Sequence, residues 1–197
     1  MKAAHRSRLP IFFVDGLWRP YSVRVAWVLK FNDESGLFLL GFSPASDADV
    51  QSDDLDGLPY PDSQEGRERI HATRLARPKQ PSFVFDVFAR YGVQCAFCAV
   101  DLRQVLTAAH IRPVANYGCD DARNGLVLCA LHHVGFDKGF IRVNPTTLAV
   151  DVAAETSMAG LGVTRPDLTH LRRMPHIGEI AWRYESYLPH RKRTWAS

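Results

Sequence analysis

The chain has 197 residues, 46% of them hydrophobic and 23% charged, enough for one full core or one core with a small appended module. It contains no apolar run of about 18 residues, which excludes a helical membrane span. Pro10, Asp15 and Arg19 interrupt the apolar start, so no signal peptide is read and a cytoplasmic location, away from any membrane, is expected. The net charge of +3 decides little, but its distribution is uneven. Eight acidic residues fall between Asp47 and Glu68, and six Arg/Lys follow from Arg172 onward. A basic C-terminal end could meet phosphates or could simply be a solvated tail.

In chain order, "YSVRVAWVLKF" (21–31) alternates as a strand, "NDESG" (32–36) reads as a turn, and "LFLLGF" (37–42) as the returning strand. Residues 43–66 are rich in Ser, Asp, Pro and Gly and read as a long loop or linker. The division expected from this is an N-terminal β-rich module over 1–70 and a second domain over 77–197. "PSFVFDVFARYG" (81–92) predicts a helix, with Ser82 as N-cap, Val84, Val87, Phe88 and Tyr91 on one face, and Gly92 closing it. A strand over 104–113, a loop over 114–124, a strand over 125–129 and a short helix over 130–139 follow. "FIRVNPTTLAVDV" (140–152) reads as a hairpin turning at Asn144-Pro145, and the remainder as loop and then helix.

Four cysteines in a cytosolic chain read as metal ligands or buried thiols rather than disulfides. "CAFC" supplies Cys95 and Cys98, and "CALH" supplies Cys129 and His132. A Cys-x2-Cys with a later Cys-x2-His fits a tetrahedral Zn2+ site, because the x2 spacing lets one tight turn present two ligands to one ion. Such a site is closed and structural. Cys119, in a Gly/Asp-rich loop, is read as a bystander thiol.

Neighbouring helical side chains diverge by about 100°, so His132 and His133 cannot easily share one ligand sphere. His133 and Asp137 stand four apart and project from one helix face, where they could hold a second divalent ion. The same spacing also describes an ordinary ion pair worth a few tenths of a kcal/mol. His110 sits at the end of the apolar strand "LTAAH", and the strand–loop–strand–helix order is expected to bring it near His133 in a ββα unit over about 104–139.

These residues resemble the HNH endonuclease family, the ββα-metal nucleases, in the branch found in bacterial restriction and defence. His110 in "AAHIRP", Asn124 in "DDARNGLVLC" and His133 in "LCALHHVGFD" match its three named positions in order, and the likeness covers about residues 77–145. The fold so implied is α+β, a ββα-metal core with zinc-knuckle support, preceded by the hairpin module and followed by a basic helical extension. The resemblance implies that His110 is the general base, that Asn124 orients it and braces the loop, and that His133 binds a catalytic Mg2+, Mn2+ or Ni2+. The products would carry 5′-phosphate and 3′-hydroxyl ends. Many members place an aspartate or histidine ligand directly before the base. This chain has Ala109 there, and Asp137 is the candidate replacement.

The substrate implied is double-stranded DNA, with Arg112 and Lys138 placed to meet phosphates. Cutting both strands would favour a homodimer. The N-terminal module could recognise a modified base, bind a partner or mediate dimerisation. Two other readings stay open: a catalytically silent, zinc-organised DNA-binding module, and an RNA-cleaving toxin on the same scaffold.

Overall fold

The computed structural model describes residues 1–15, 22–42, 56–57, 59–60, 80–186 and 195–196. Most of the acidic stretch, the basic segment 67–79 and the basic residues Arg191, Lys192 and Arg193 lie outside the described residues. The chain divides into two compact units, Met1–Pro59 and Tyr60–Ser197.

In the first unit, helix α1 (Lys2–Arg6) precedes a three-stranded antiparallel sheet in the order β1 (Ile11–Asp15), β2 (Ser22–Asn32) and β3 (Leu37–Gly41). The expected hairpin is β2–β3. Its turn is held by Asn32, whose Oδ1 accepts the Ser35 N–H at 2.8 Å, and by Gly36 at φ 66. Strand β1 goes beyond the sequence expectation: its five residues lack the length and the regular apolar/polar alternation of β2.

The second unit is built around a two-stranded hairpin. Strand β4 (Leu106–His110) pairs antiparallel with β5 (Gly125–Cys129), and helix α3 (Ala130–Asp137) follows β5 directly. This is the ββα unit. All five β5 residues are buried, because the hairpin is covered on both faces. Strand alternation puts Leu106, Ala108 and His110, with Gly125 and Val127, on one face. Helix α2 (Gln80–Tyr91) packs there. A Cβ on Gly125 would fall 2.4 Å from Val87 Cγ2, so glycine is required for that approach. Thr107, Ala109, Leu126 and Leu128 take the other face, toward α3.

Helix α2 begins at Gln80, which puts Ser82 inside the first turn rather than at the N-cap. Pro81 is tolerated in that turn because its missing N–H leaves no helical bond unmade. Gly92, at φ 80, closes the helix as expected. Beyond α3, β6 (Ile141–Val143) and β7 (Val150–Ala153) form the second hairpin, joined by β8 (Trp195–Ala196). Asn144 Oδ1 accepts the N–H groups of Thr146 and Thr147 at the hairpin turn. Helix α4 (Ile177–Ser186) completes the unit, with Ile180 buried. No helix among the described residues is long and apolar enough to cross a membrane.

Candidate metal centre and active site

Cys95, Cys98, Cys129 and His132 are all buried, and their ligand atoms lie within 4.8 Å of one another. Cys95 Sγ and Cys129 Sγ are each 3.2 Å from His132 Nδ1. The Cys95 turn is closed by its own N–H donating to Val100 O at 2.8 Å and tied to β5 by Ala96 N–H donating to Val127 O at 2.8 Å. The Cys129 N–H donates to Cys95 Sγ at 3.4 Å.

His132 Nε2 lies 3.0 Å from the Leu161 carbonyl, which can only accept. Nε2 therefore carries the proton and Nδ1 turns its lone pair toward the sulfurs, the tautomer a ligating histidine needs. Burial pushes the Cys95 thiol up to about 12 and lowers the His132 imidazole. The donor set and closure fit a structural metal such as zinc, whose tetrahedral ligands stand about 3.5–3.8 Å apart. Cys119 has no part in it. It is buried elsewhere, donating to Tyr60 Oη at 3.2 Å.

His133 points away from that cluster. Its Nδ1 is 2.6 Å from Thr107 Oγ1 on β4, and its Nε2 is 3.3 Å from Asp137 Oδ2. Two ligands of one Mg2+-like ion, each bound at about 2.1 Å, stand roughly 3.0–3.3 Å apart, so this pair has the spacing to share a cation. Burial raises the Asp137 pKa, but the His133 hydrogen bond and the Arg183 guanidinium outweigh it and hold the carboxyl below its ordinary value. Both side chains are partly open to solvent, at 30% and 49%. Ala109, wholly buried on the same strand face as Thr107, offers no ligand atom.

His110 occupies the opposite face of β4. Its ring stacks on Phe83 of α2 at 3.8 Å with an interplanar angle of 4°, and its Nε2 is 3.2 Å from Asp120 Oδ1. The two histidines are joined through the scaffold rather than through their rings. Arg183, buried on α4, donates Nη1–H to the Ile111 carbonyl at 2.7 Å and Nη2–H to the Phe136 carbonyl, and it stands 3.6 Å from Asp137 Oδ1. One guanidinium thus pins the end of β4 to the C-terminal end of α3, where a positive charge also complements the helix dipole.

Asn124 is fully buried and braces the loop. Its Oδ1 accepts Arg112 N–H at 2.8 Å, and its Nδ2 donates to the Arg112 carbonyl at 3.0 Å and the Cys119 carbonyl at 2.9 Å. Among the described residues its side chain bonds to backbone, and the His110 ring meets Asp120 and Phe83. Arg112, expected at a phosphate, is turned inward. Its Nε donates to the Asn116 carbonyl at 2.6 Å, its guanidinium covers Trp182 at 4.6 Å, and it faces buried Glu179 at 3.9 Å. Lys138, just past α3, is exposed.

The sequence alone assigns no site role to Asp120 or Phe83, and counts Arg183 only with the basic C-terminal end, whereas its side chain is buried. "DD" beside the Asn124 motif was a signal for the first. Nothing in "AWRYES" distinguishes Arg183 from a solvated helix charge.

Residues 95–144 match the family model described as HNH endonuclease. Among solved structures, a "Modification dependent TagI restriction endonuclease" is similar, with 20% identity and a TM-score of 0.40 over 92% of this chain and 63% of that one. The chain therefore spans less than two thirds of that protein's length. No curated protein matches.

Proposed function

We propose that the protein is a metal-dependent DNA endonuclease that hydrolyses phosphodiester bonds, acting in restriction or phage defence. The observation that carries this reading is His110, held at the end of β4 beside an Asn124-braced loop, inside the segment that matches the HNH endonuclease model. His110 takes a proton from the attacking water as general base. Asn124 keeps the loop between the two strands in one conformation. His133 and Asp137 would hold the divalent ion, Mg2+ or a relative such as Mn2+ or Ni2+, which when bound would supply charge stabilisation at the scissile phosphate and the leaving oxygen. Zn2+ in the Cys95, Cys98, Cys129 and His132 cluster fixes the helix that presents His133. Double-stranded DNA is the substrate, Lys138 meets its phosphates, and a homodimer would deliver the second cut.

The test is incubation of modified and unmodified plasmid with wild type and His110→Ala in each of the three metals. Nicking by wild type that His110→Ala abolishes supports the proposal. Ala109, where a ligand would be expected, favours a second reading, a catalytically silent DNA-binding module. Retained binding without nicking in any metal would select it. A parallel digest that cuts RNA but spares DNA would select an RNA-cleaving enzyme.

A further inference from the structure

Between β4 and β5 the chain carries two adjacent aspartates, and they take different partners. Asp121 is consumed locally. Its Oδ1 accepts the Arg123 N–H at 2.8 Å, and its Oδ2 pairs with Arg123 Nη2 at 2.8 Å. Asp120 instead places Oδ1 3.2 Å from His110 Nε2, with both side chains mostly shielded, at 14% and 17% exposure.

The loop that delivers Asp120 is fixed from within. Asn124 bonds both the N–H and the carbonyl of Arg112. Tyr117 adopts a left-handed φ of 63. Gly118 lies so close to the returning chain that a Cβ there would fall 1.8 Å from the Arg112 carbonyl oxygen. Phe83, stacked flat on His110, fixes the plane of the imidazole from the other side. Plane and rotation are thus both specified, the first by an aromatic ring and the second by a carboxylate.

We infer that Asp120 is a positioning residue for His110, selecting the Nε2–H tautomer so that Nδ1 is the atom that accepts the proton. An ionised carboxylate only accepts, and a neutral imidazole carries one N–H, so the bond to Asp120 leaves the lone pair on Nδ1. As the water oxygen forms its bond to phosphorus and the P–O3′ bond breaks, the water proton moves to Nδ1. Asp120 remains ionised and offsets the charge of the imidazolium. The leaving oxygen takes its proton from solvent. This assignment rests on the nuclease reading above. The competing account is an ion pair that merely stiffens the loop.

Two measurements separate them. Imidazole 15N–1H correlation spectra of the full chain should show His110 with its proton on Nε2, and this tautomer should be lost in Asp120→Ala. A wild-type His110 protonated on Nδ1 overturns the inference without any variant having to fold. In cleavage assays, Asp120→Asn should lower kcat by ~10²–10⁴-fold, the range of general-base assistance, with KM unchanged. Asp121→Asn should lower the Tm and leave kcat intact. Equal kcat for wild type and Asp120→Asn overturns the inference while the nuclease reading survives. A wild type that cuts nothing in any metal removes the nuclease reading, and the assignment with it.

Discussion

Two adjacent histidines on one short helix sit in opposite environments. His132 is 1% exposed, ringed by three buried cysteines and backed by a carbonyl. His133, partly open to solvent, touches one hydroxyl and one half-exposed carboxylate. The first cluster offers four protein ligands to one ion, while the proposed second site would leave most of a coordination shell to water or substrate. Closure makes a metal site structural, and openness lets a metal site react. The helix serves both because its α-helical step turns consecutive side chains apart.

The largest way to break this contrast is at the closed cluster. Removing the metal with a chelator, or replacing Cys95 by Ser or His132 by Ala, should abolish cooperative folding of the second unit, a loss on the order of 10 kcal/mol. Circular dichroism reads it, and a stable, metal-free fold would refute the structural assignment. At the open site, His133→Ala and His110→Ala should each leave the Tm within a few degrees and remove ~10²-fold or more of the cleavage rate. If His133→Ala unfolds the protein while His132→Ala does not, the two proposed roles are exchanged.

Arg183→Met probes the strut between them. It leaves the Ile111 and Phe136 carbonyls without their buried donor and should cost about 3 kcal/mol, a fall of roughly 6–12 °C in Tm. Arg183→Lys should not restore it, since an ammonium cannot span both carbonyls with fork geometry. The smallest effect is at the surface. Lys138→Ala should reduce the salt slope of DNA binding by about 1. Arg112→Ala should leave that slope alone and lower the Tm, because Arg112 is spent on Asn116, Trp182 and Glu179.

Local patterns were legible in the sequence and distant contacts were not. The x2 spacings of Cys95/Cys98 and Cys129/His132 are local geometry, so the buried cluster could be read directly. The continuous apolar run of β5 and the i,i+4 pair His133–Asp137 were legible for the same reason. Arg183 reaches its partners from more than forty residues away, and no periodicity encodes such a contact. Arg112 misled because an arginine beside a catalytic motif looks the same in sequence whether it faces a phosphate or a tryptophan. The N-cap expected at Ser82 does not form because Gln80, Pro81 and Ser82 are themselves helical, which starts the helix three residues earlier.

The Leu161 carbonyl that receives His132 Nε2–H belongs to a segment with further ties to the first knuckle. Thr164 and Arg165 donate their N–H groups to the Phe97 carbonyl at 3.0 and 3.1 Å, and Arg165 Nη1 reaches the Cys95 carbonyl at 3.2 Å. Phe97 lies between the two cysteines of "CAFC", so loss of the metal would loosen the surface against which 161–165 is docked. Deuterium uptake at the amides of Thr164 and Arg165 should then act as a remote gauge of metal occupancy, rising under chelation before the β4–β5 ladder begins to exchange.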